Sequence, residues 1–471
     1  MRNRDPAAQG DAVAINSSPA PAIGTESSAP STSGRVATGA YPYYVLAVLI
    51  VLGLFAWIDR QILSIVLQSV KVEFSLTDTQ LGLIGGVAFG LFYVTVALPV
   101  AWLADRLNRR VIIAASVALW SVMTALCGLT GGFWSLFLAR MGVGIGEAGV
   151  SAPSQSMLAD YFPPHRRGVV MGVLYSYVPL SYLVSYGFGG WLNEAFGWRT
   201  AFIIFGLPGL LLAALVHVTV REPPRAEAIA MGRSRVGSFP AALGNVTRLA
   251  TLRRLSLAGA CHALGMVAAS VWLPAFFIRV HHMSSSAIGM RLALILGLGG
   301  LIGTFTGGQL ADRARRRDER WYLWFCSLAV VSAVPFIVAM YLTRDASAAL
   351  LLYIVPAILN HTVLGPTFAS VQNISGGRHR ALGVAFYLFA VNLISMGMGP
   401  LLIGYLSDLF HARYGNDGLR YSLLYVTSTA SVCSGLFYFV SARSLTRDRD
   451  RLNTAAALTA VSAAASPVAG S

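Results

Sequence analysis

Apolar residues run along this chain in stretches of membrane-spanning length, separated by short polar breaks, from about position 43 to about position 442. A helix of about 20 such residues crosses a ~30 Å hydrocarbon core. The pattern predicts twelve spans, at about 43–68, 80–103, 111–130, 134–157, 168–191, 199–220, 254–278, 286–309, 320–342, 348–374, 381–406 and 421–442. The longest break, 221–253, is polar and interrupted by proline, and it divides the spans six and six. Five segments follow: a tail over 1–40, a six-helix bundle over 41–220, a central loop over 221–253, a second bundle over 254–442 and a tail over 443–471. Both tails are rich in small and polar residues and are expected to be disordered. The first holds no apolar run long enough for a signal peptide.

Composition agrees with the pattern. The chain is 55% hydrophobic and 12% charged, against roughly 25% charged in a soluble domain, which excludes a soluble globular protein. The net charge of +15, from 35 Lys+Arg and 20 Asp+Glu, would suggest nucleic acid in a soluble chain. Here the placement of the charges gives them another meaning. With both termini in the cytoplasm, the loops on that side carry twenty-three basic residues, among them Arg106, Arg109, Arg110, Arg166, Arg167 and Arg313. The opposite face keeps seven: Lys71, Arg199, Arg279, Arg291, Arg344, Arg413 and Arg420. The positive-inside rule therefore sets both termini in the cytoplasm, in a cell inner (plasma) membrane.

Several chemistries drop out at the same stage. Lys71 is the single lysine and lies in Val70-Lys71-Val72-Glu73, so there is no phosphate-binding Walker loop and no Schiff-base lysine. The cysteines Cys127, Cys261, Cys326 and Cys433 stand alone in apolar runs and read as buried free thiols. His281-His282 lacks the further ligands a metal would need, and no cofactor, metal or nucleic-acid partner is expected.

The two halves share a motif. The second span ends in Leu103-Ala104-Asp105-Arg106-Leu107-Asn108-Arg109-Arg110 and the eighth in Leu310-Ala311-Asp312-Arg313-Ala314-Arg315-Arg316-Arg317, 207 residues later. On these residues the sequence resembles the major facilitator superfamily over all twelve spans. The resemblance implies an all-α membrane protein, with twelve transmembrane helices in two six-helix bundles and a substrate site between the halves near the midplane. Three further features are similar to the Spinster branch, which includes sphingolipid and lysolipid transporters. They are Asp59-Arg60 in the first span, Arg140-Met141-Gly142-Val143-Gly144-Ile145-Gly146-Glu147-Ala148 in the fourth, and Ala159-Asp160-Tyr161-Phe162 with Arg166-Arg167 after it. The fifth span departs from the glycine run common in that branch: it reads Tyr175-Ser176-Tyr177-Val178-Pro179-Leu180-Ser181-Tyr182.

Charges inside a bilayer cost a few kcal/mol on insertion scales and usually face a cavity or a partner. Asp59, Arg60, Arg140 and Glu147 are the clearest cases. Arg140 and Glu147 lie two helical turns apart on one face, about 10 Å along the axis, so each needs a partner on another helix, and Asp59 is the candidate for Arg140. One reading is that Glu147 or Asp59 exchanges a proton while Arg140 holds an anionic substrate group or the emptied carboxylate. The other is a structural ion-pair network. Tyr93, Tyr175, Tyr182, Asn360, His361, Tyr387 and Asn392 are candidates to line the cavity. Asp105 and Asp312, with Arg106, Arg109, Arg110, Asp160, Arg167 and Arg313, form a candidate cytoplasmic gate in which each aspartate of the loop motif meets the N-terminus of a helix from the other half, the eleventh near Ala381 and the fifth near Gly168.

The function expected is secondary active transport of an amphipathic or anionic organic solute by alternating access, coupled to protons, by a monomer embedded in lipid. A facilitative uniporter for a carboxylated nutrient is the alternative. An integral-membrane enzyme or sensor is remote, because no convergent ligand set or nucleophile with its base is present.

Overall fold

The computed structural model describes residues 39–104, 106–223 and 249–464. The N-terminal tail to residue 38, Asp105, most of the central loop (224–248) and the last seven positions lie outside the described residues. Among those described, the structure is helical throughout, in twelve units. The first half holds α1 (Tyr41–Phe74), α2 (Asp78–Ala104), α3 (Arg109–Cys127), α4 (133–161), α5 (164–196) and α6 (Trp198–Thr219). The second holds α7 (Ala250–Val280), α8 (Ser285–Arg315), α9 (Trp321–Leu342), α10 (Ala346–Ile374), α11 (376–414) and α12 (Gly418–Ala464). Among the described residues, ten continuous stretches are long and apolar enough to cross a membrane, and one of them, Gly383–Leu445, carries parts of both α11 and α12. The unit missing from that set is α4, which a break at 148–150 divides into helices of 15 and 11 residues.

The helix starts are written in the sequence. Thr77, Asn108, Ser284 and Asp345 are N-caps whose side-chain oxygens accept from the first free N–H groups of α2, α3, α8 and α10. The break in α4 follows from Pro153, which has no N–H to offer Gly149 and crowds its carbonyl. The chain there tightens, with Val150 N–H donating to Glu147 O at 3.2 Å. Glu147 thus ends the regular part of α4. Wider π-helical turns occur at Leu83–Val87 in α2, Leu183–Phe188 in α5 and Leu393–Met398 in α11. All three lie where the halves cross.

The tail predicted from 443 differs from expectation. α12 continues without interruption to Ala464, for two reasons visible in the residues. The segment is rich in alanine, the strongest helix former, and its first turns are tied down by Asp448, which is buried and accepts from the N–H of Thr251 at 2.8 Å.

In lipid, helices associate through close packing and interhelical hydrogen bonds rather than through expulsion of water. Within the first half α3 packs on α4 and α6, and α2 on α4; within the second, α12 packs on α7 and α9, and α8 on α10. Between halves the pairs are α1 with α7, α2 with α11 and α5 with α8. Small residues carry these crossings. A Cβ added at Gly90 of α2 would stand 2.7 Å from Met396 of α11, and one at Gly289 of α8 would stand 2.2 Å from the Tyr186 carbonyl of α5. The molecule has an Arg-rich end, with the α2–α3 and α8–α9 loops, and an Arg-poor end, with the α1–α2 and α7–α8 turns.

Candidate functional site

Asp59 and Arg60 are neighbours on α1, so about 100° of helical rotation sends them to different helices. The side chain of Asp59 is 4% exposed and that of Arg140 2%; their closest atoms, Oδ2 and Nη1, are 3.8 Å apart. The other oxygen of Asp59 accepts from the Thr124 hydroxyl of α3 at 2.7 Å. Arg60 turns instead to Glu147, with Nε donating to Oε2 at 2.6 Å. The two charged pairs therefore join α1 to α4 twice, and the spacing of Arg140 and Glu147 on one face is what allows both.

Aromatic rings complete the surroundings. The Arg60 guanidinium lies 4.6 Å from the Tyr93 ring centroid and 5.2 Å from those of Trp57 and Phe89. Arg140 lies 5.3 Å from Phe89, so both arginines face that ring. Tyr175 is half-exposed and its hydroxyl accepts from Gln155 Nε2 of α4 at 3.0 Å. Tyr177 packs beside it, 5.9 Å between ring centroids, and against Gly53 of α1. Arg140 Nε and Nη1 are buried without a hydrogen-bond partner. The remaining oxygens of Asp59 and Glu147 have no donor among the basic side chains, although the two carboxyl groups lie close enough to hydrogen-bond each other when one is protonated. Leaving such atoms unsatisfied costs about 1–3 kcal/mol each, which a substrate group or a proton can relieve.

The remaining cavity candidates divide. Tyr93 and Tyr175 stand with the charged cluster, and Asn360 and Asn392 are half-buried on α10 and α11. Tyr182, His361 and Tyr387 are packed instead. Tyr182 is buried and stacks on Tyr186 at 6.0 Å. Tyr387 wedges against Gly259 and Phe368 inside the second half. His361 shares a hydrogen bond with the Ala357 carbonyl at 2.7 Å and lies over Gly300 and Gly303 of α8. Helix position alone could not distinguish an inward face from a face that meets a neighbour's glycine. His262 is likewise tied to a backbone carbonyl, that of Asn360, at 3.0 Å. The four cysteines are free, and no metal-binding cluster occurs among the described residues.

At the Arg-rich end, Arg109 and Asp160 join helices of one half rather than the two halves. Arg109 is buried, with Nη1 on Asp160 Oδ2 at 2.7 Å and Nε on Glu222 Oε1 at 2.6 Å. Glu222 also accepts from the N–H of Arg110, at 3.2 Å, so this acid after α6 caps the start of α3. Glu222 was not singled out in the sequence, although Arg221-Glu222-Pro223 after an apolar span was the available signal. Arg106 stacks on Trp102 at 3.5 Å, and Arg167 donates to the Phe162 carbonyl at 3.3 Å. Asp312 is exposed, like Arg313, and accepts from Tyr322 of its own half at 3.3 Å. Asp105 lies outside the described residues.

The Arg-poor end holds a network that sequence reasoning missed. Asp78, at the start of α2, accepts from Lys71 at 2.5 Å, from Arg279 of α7 at 2.8 Å and from Ser407 of α11 at 2.6 Å. Arg279 also bonds Gln68 of α1. Asp408 of α11 accepts from the N–H groups of Asp78 and Thr79 at 2.9 and 2.7 Å. In the sequence Lys71 and Arg279 stand only as sparse charges of the less basic face.

The sequence matches the profile of the Major Facilitator Superfamily over residues 49–400. The chain belongs to the Major Facilitator Superfamily. It is similar to an efflux pump of this superfamily from Mycolicibacterium smegmatis, 29% identical over 86% of this chain and 93% of that protein. It is also similar to a sphingosine-1-phosphate transporter of Danio rerio, 27% identical over 84% of this chain and 83% of the relative. Among solved structures, a bacterial homolog of the human lysosomal transporter Spinster, in an inward-facing and unoccupied conformation, superimposes with a TM-score of 0.79 at 30% identity. The match covers 87% of this chain and 98% of that one. The chain is thus a Spinster-like superfamily member, an integral membrane transporter and not an enzyme.

Proposed function

We propose that this transporter moves an anionic or amphipathic organic solute by proton-coupled alternating access. The observation that carries the reading is the buried Arg60–Glu147 pair set among Trp57, Phe89 and Tyr93, beside the looser Arg140–Asp59 pair. Burial favours the neutral form of a carboxylic acid and an adjacent arginine favours the charged form. An anionic group that takes the arginine therefore hands the carboxylate to a proton, and loss of the proton returns the arginine to the carboxylate. The aromatic surfaces of Tyr93, Tyr175 and Tyr177 suit an apolar portion next to that anion. Similarity to a sphingosine-1-phosphate transporter and to an efflux pump supports a solute with both characters.

The Arg-rich end is read as cytoplasmic from its loops, in a plasma membrane, with the protein acting as a monomer. Similarity to an inward-facing relative supports reading the closed, Arg-poor end as the outer one. In the opposite state Asp312 and Asp105 dock on the N-termini of α5 and α11 and close the cytoplasmic side. The deciding experiment is transport into proteoliposomes of a solute found by a ligand-stabilisation screen of lysolipids, aromatic acids and sugar acids. Accumulation driven by an imposed proton gradient, together with counterflow, supports the proposal. Counterflow without proton-driven accumulation favours the uncoupled uniporter, and absence of counterflow refutes both.

A further inference from the structure

The Arg-poor end is closed by two copies of one arrangement. α5 ends in Gly190-Trp191-Leu192-Asn193-Glu194-Ala195-Phe196, and α11 contains Gly404-Tyr405-Leu406-Ser407-Asp408-Leu409-Phe410, 214 residues later. Both read glycine, aromatic, leucine, small polar, acid, any residue, phenylalanine. What they dock on is also repeated. Thr77 and Ser284, 207 residues apart, are the N-caps of α2 and α8, and each accepts from the N–H three positions on at 3.2 Å.

The contacts match residue for residue. Asp408 accepts from Thr79 N–H at 2.7 Å, and Glu194 accepts from the N–H of Ser286, the counterpart of Thr79, at 2.9 Å. Under each acid a glycine brings the backbones together. A Cβ at Gly404 would lie 2.1 Å from the Asp78 carbonyl, and one at Gly190 would lie 2.4 Å from the carbonyl of Ser285, the counterpart of Asp78. One turn further in, Gly82 meets the Pro400 carbonyl and Gly289 meets the Tyr186 carbonyl, again a matched set.

A helix start leaves N–H groups unpaired and carries partial positive charge, so a carboxylate seated there is held by both hydrogen bonds and the dipole. All these contacts cross from one half to the other, so opening this end must strip both acids from their helix starts. The copies are unequal. The α2 copy adds the ions Lys71, Asp78 and Arg279 and two more bonds to Asp408, from Asp78 N–H at 2.9 Å and the Thr79 hydroxyl at 2.6 Å. The α8 copy adds a single neutral bond, Ser285 hydroxyl to Gly190 carbonyl at 3.1 Å.

We propose that the two repeats form a duplicated clasp that holds the Arg-poor end shut, with Asp408 and Glu194 as positioning residues that set the balance between the two access states. The clasp requires alternating access but not the proton or substrate assignment, so its test needs no substrate. Spin labels on Leu129→Cys and Arg344→Cys, exposed at this end in opposite halves, report its opening in lipid nanodiscs when the four native cysteines are replaced. The parent protein should give mainly the short distance. Asp408→Asn should raise the open-to-closed ratio about 3- to 30-fold and Glu194→Gln about 2- to 5-fold, from the strength of carboxylate–helix contacts. The double variant should exceed either single one, and Asp408→Glu, which keeps the charge, should return most of the closed population. Gly404→Ala, which wedges the backbones, should open the same end. An unchanged distance distribution in both acid variants overturns the proposal. A response to Asp408→Asn alone overturns the duplication, and a response to Gly404→Ala alone leaves closure to packing and refutes the role of the acids.

Discussion

Replacing Glu147 with glutamine changes little volume and keeps an oxygen within reach of Arg60, whose Nε now stands 2.6 Å from Oε2. The change removes a charge. Two unit charges 4 Å apart attract by about 4 kcal/mol at an effective dielectric of 20, and with side-chain exposures of 1% for Glu147 and 16% for Arg60 little of that is screened by water. Two effects offset the loss. The neutral amide carries no desolvation cost of a buried anion, and the guanidinium keeps three aromatic rings, each worth ~0.5–2 kcal/mol. The net cost to stability is expected to be about 1–2 kcal/mol, against about 3–5 kcal/mol for Glu147→Ala, which leaves the Arg60 charge without its carboxylate partner. Thermal unfolding in detergent ranks the two. In transport the glutamine mimics a permanently protonated acid. Counterflow should persist while accumulation driven by a pH gradient disappears, and uptake should lose its pH dependence. If Glu147→Gln and Asp59→Asn both accumulate substrate at the parent rate under a proton gradient, the coupling assignment is wrong.

Arg140→Ala strands Asp59 in a buried site and should cost about 3–5 kcal/mol; any ligand that stabilises the parent protein should no longer raise the melting temperature of this variant. Gly144→Ala places a Cβ 2.5 Å from the Phe89 carbonyl, so α2 and α4 must separate, with an expected loss of about 1–3 kcal/mol that a melting curve detects. Phe89→Leu removes the ring that both arginines face and should weaken ligand binding in a titration while leaving the protein folded. His281 lies just beyond α7 in the α7–α8 turn, where burial and then the nearby Arg420 hold its pKa below the ordinary value of 6.5. The folded state therefore binds fewer protons than the unfolded one, so stability should fall as pH drops below 6.5, and His281→Gln should flatten that part of the pH–melting profile.

The fold was legible because lipid enforces it: spans of fixed length and arginines sorted to one side leave few alternatives. The charged cluster was legible for the same reason, since Asp59, Arg60, Arg140 and Glu147 stand out against an apolar background. Pairing was harder. The spacing of Arg140 and Glu147 implied partners elsewhere, but that Arg60 answers Glu147 depends on the break after Glu147 in α4 and on the rings that hold Arg60. The second half was less legible, because Tyr387 and His361 sit on helix faces that meet glycines of α7 and α8, contacts that helix position alone does not reveal. The clasp at the Arg-poor end was hidden by its brevity. Its residues lie at helix ends, where an acid reads as an ordinary surface charge until the opposing N-terminus is known.

The geometry places α2 in both parts of the machine. Its first residues, Asp78 and Thr79, bond to Asp408. Eleven residues on from Asp78, about 16 Å along the axis, the Phe89 ring lies beside both Arg60 and Arg140. The Phe89 carbonyl abuts Gly144 of α4, and the adjacent Gly90 touches Met396 of α11. Interiors packed this closely transmit displacement rather than absorb it. A shift of α2 large enough to release Asp408 is therefore felt at the ring between the arginines, and exchange of a partner at the arginines is felt where α2 meets α11. The first half carries the intramembrane charges, yet opening at the Arg-poor end requires the second half to let go of α2, so chemistry confined to one bundle can govern a motion between two.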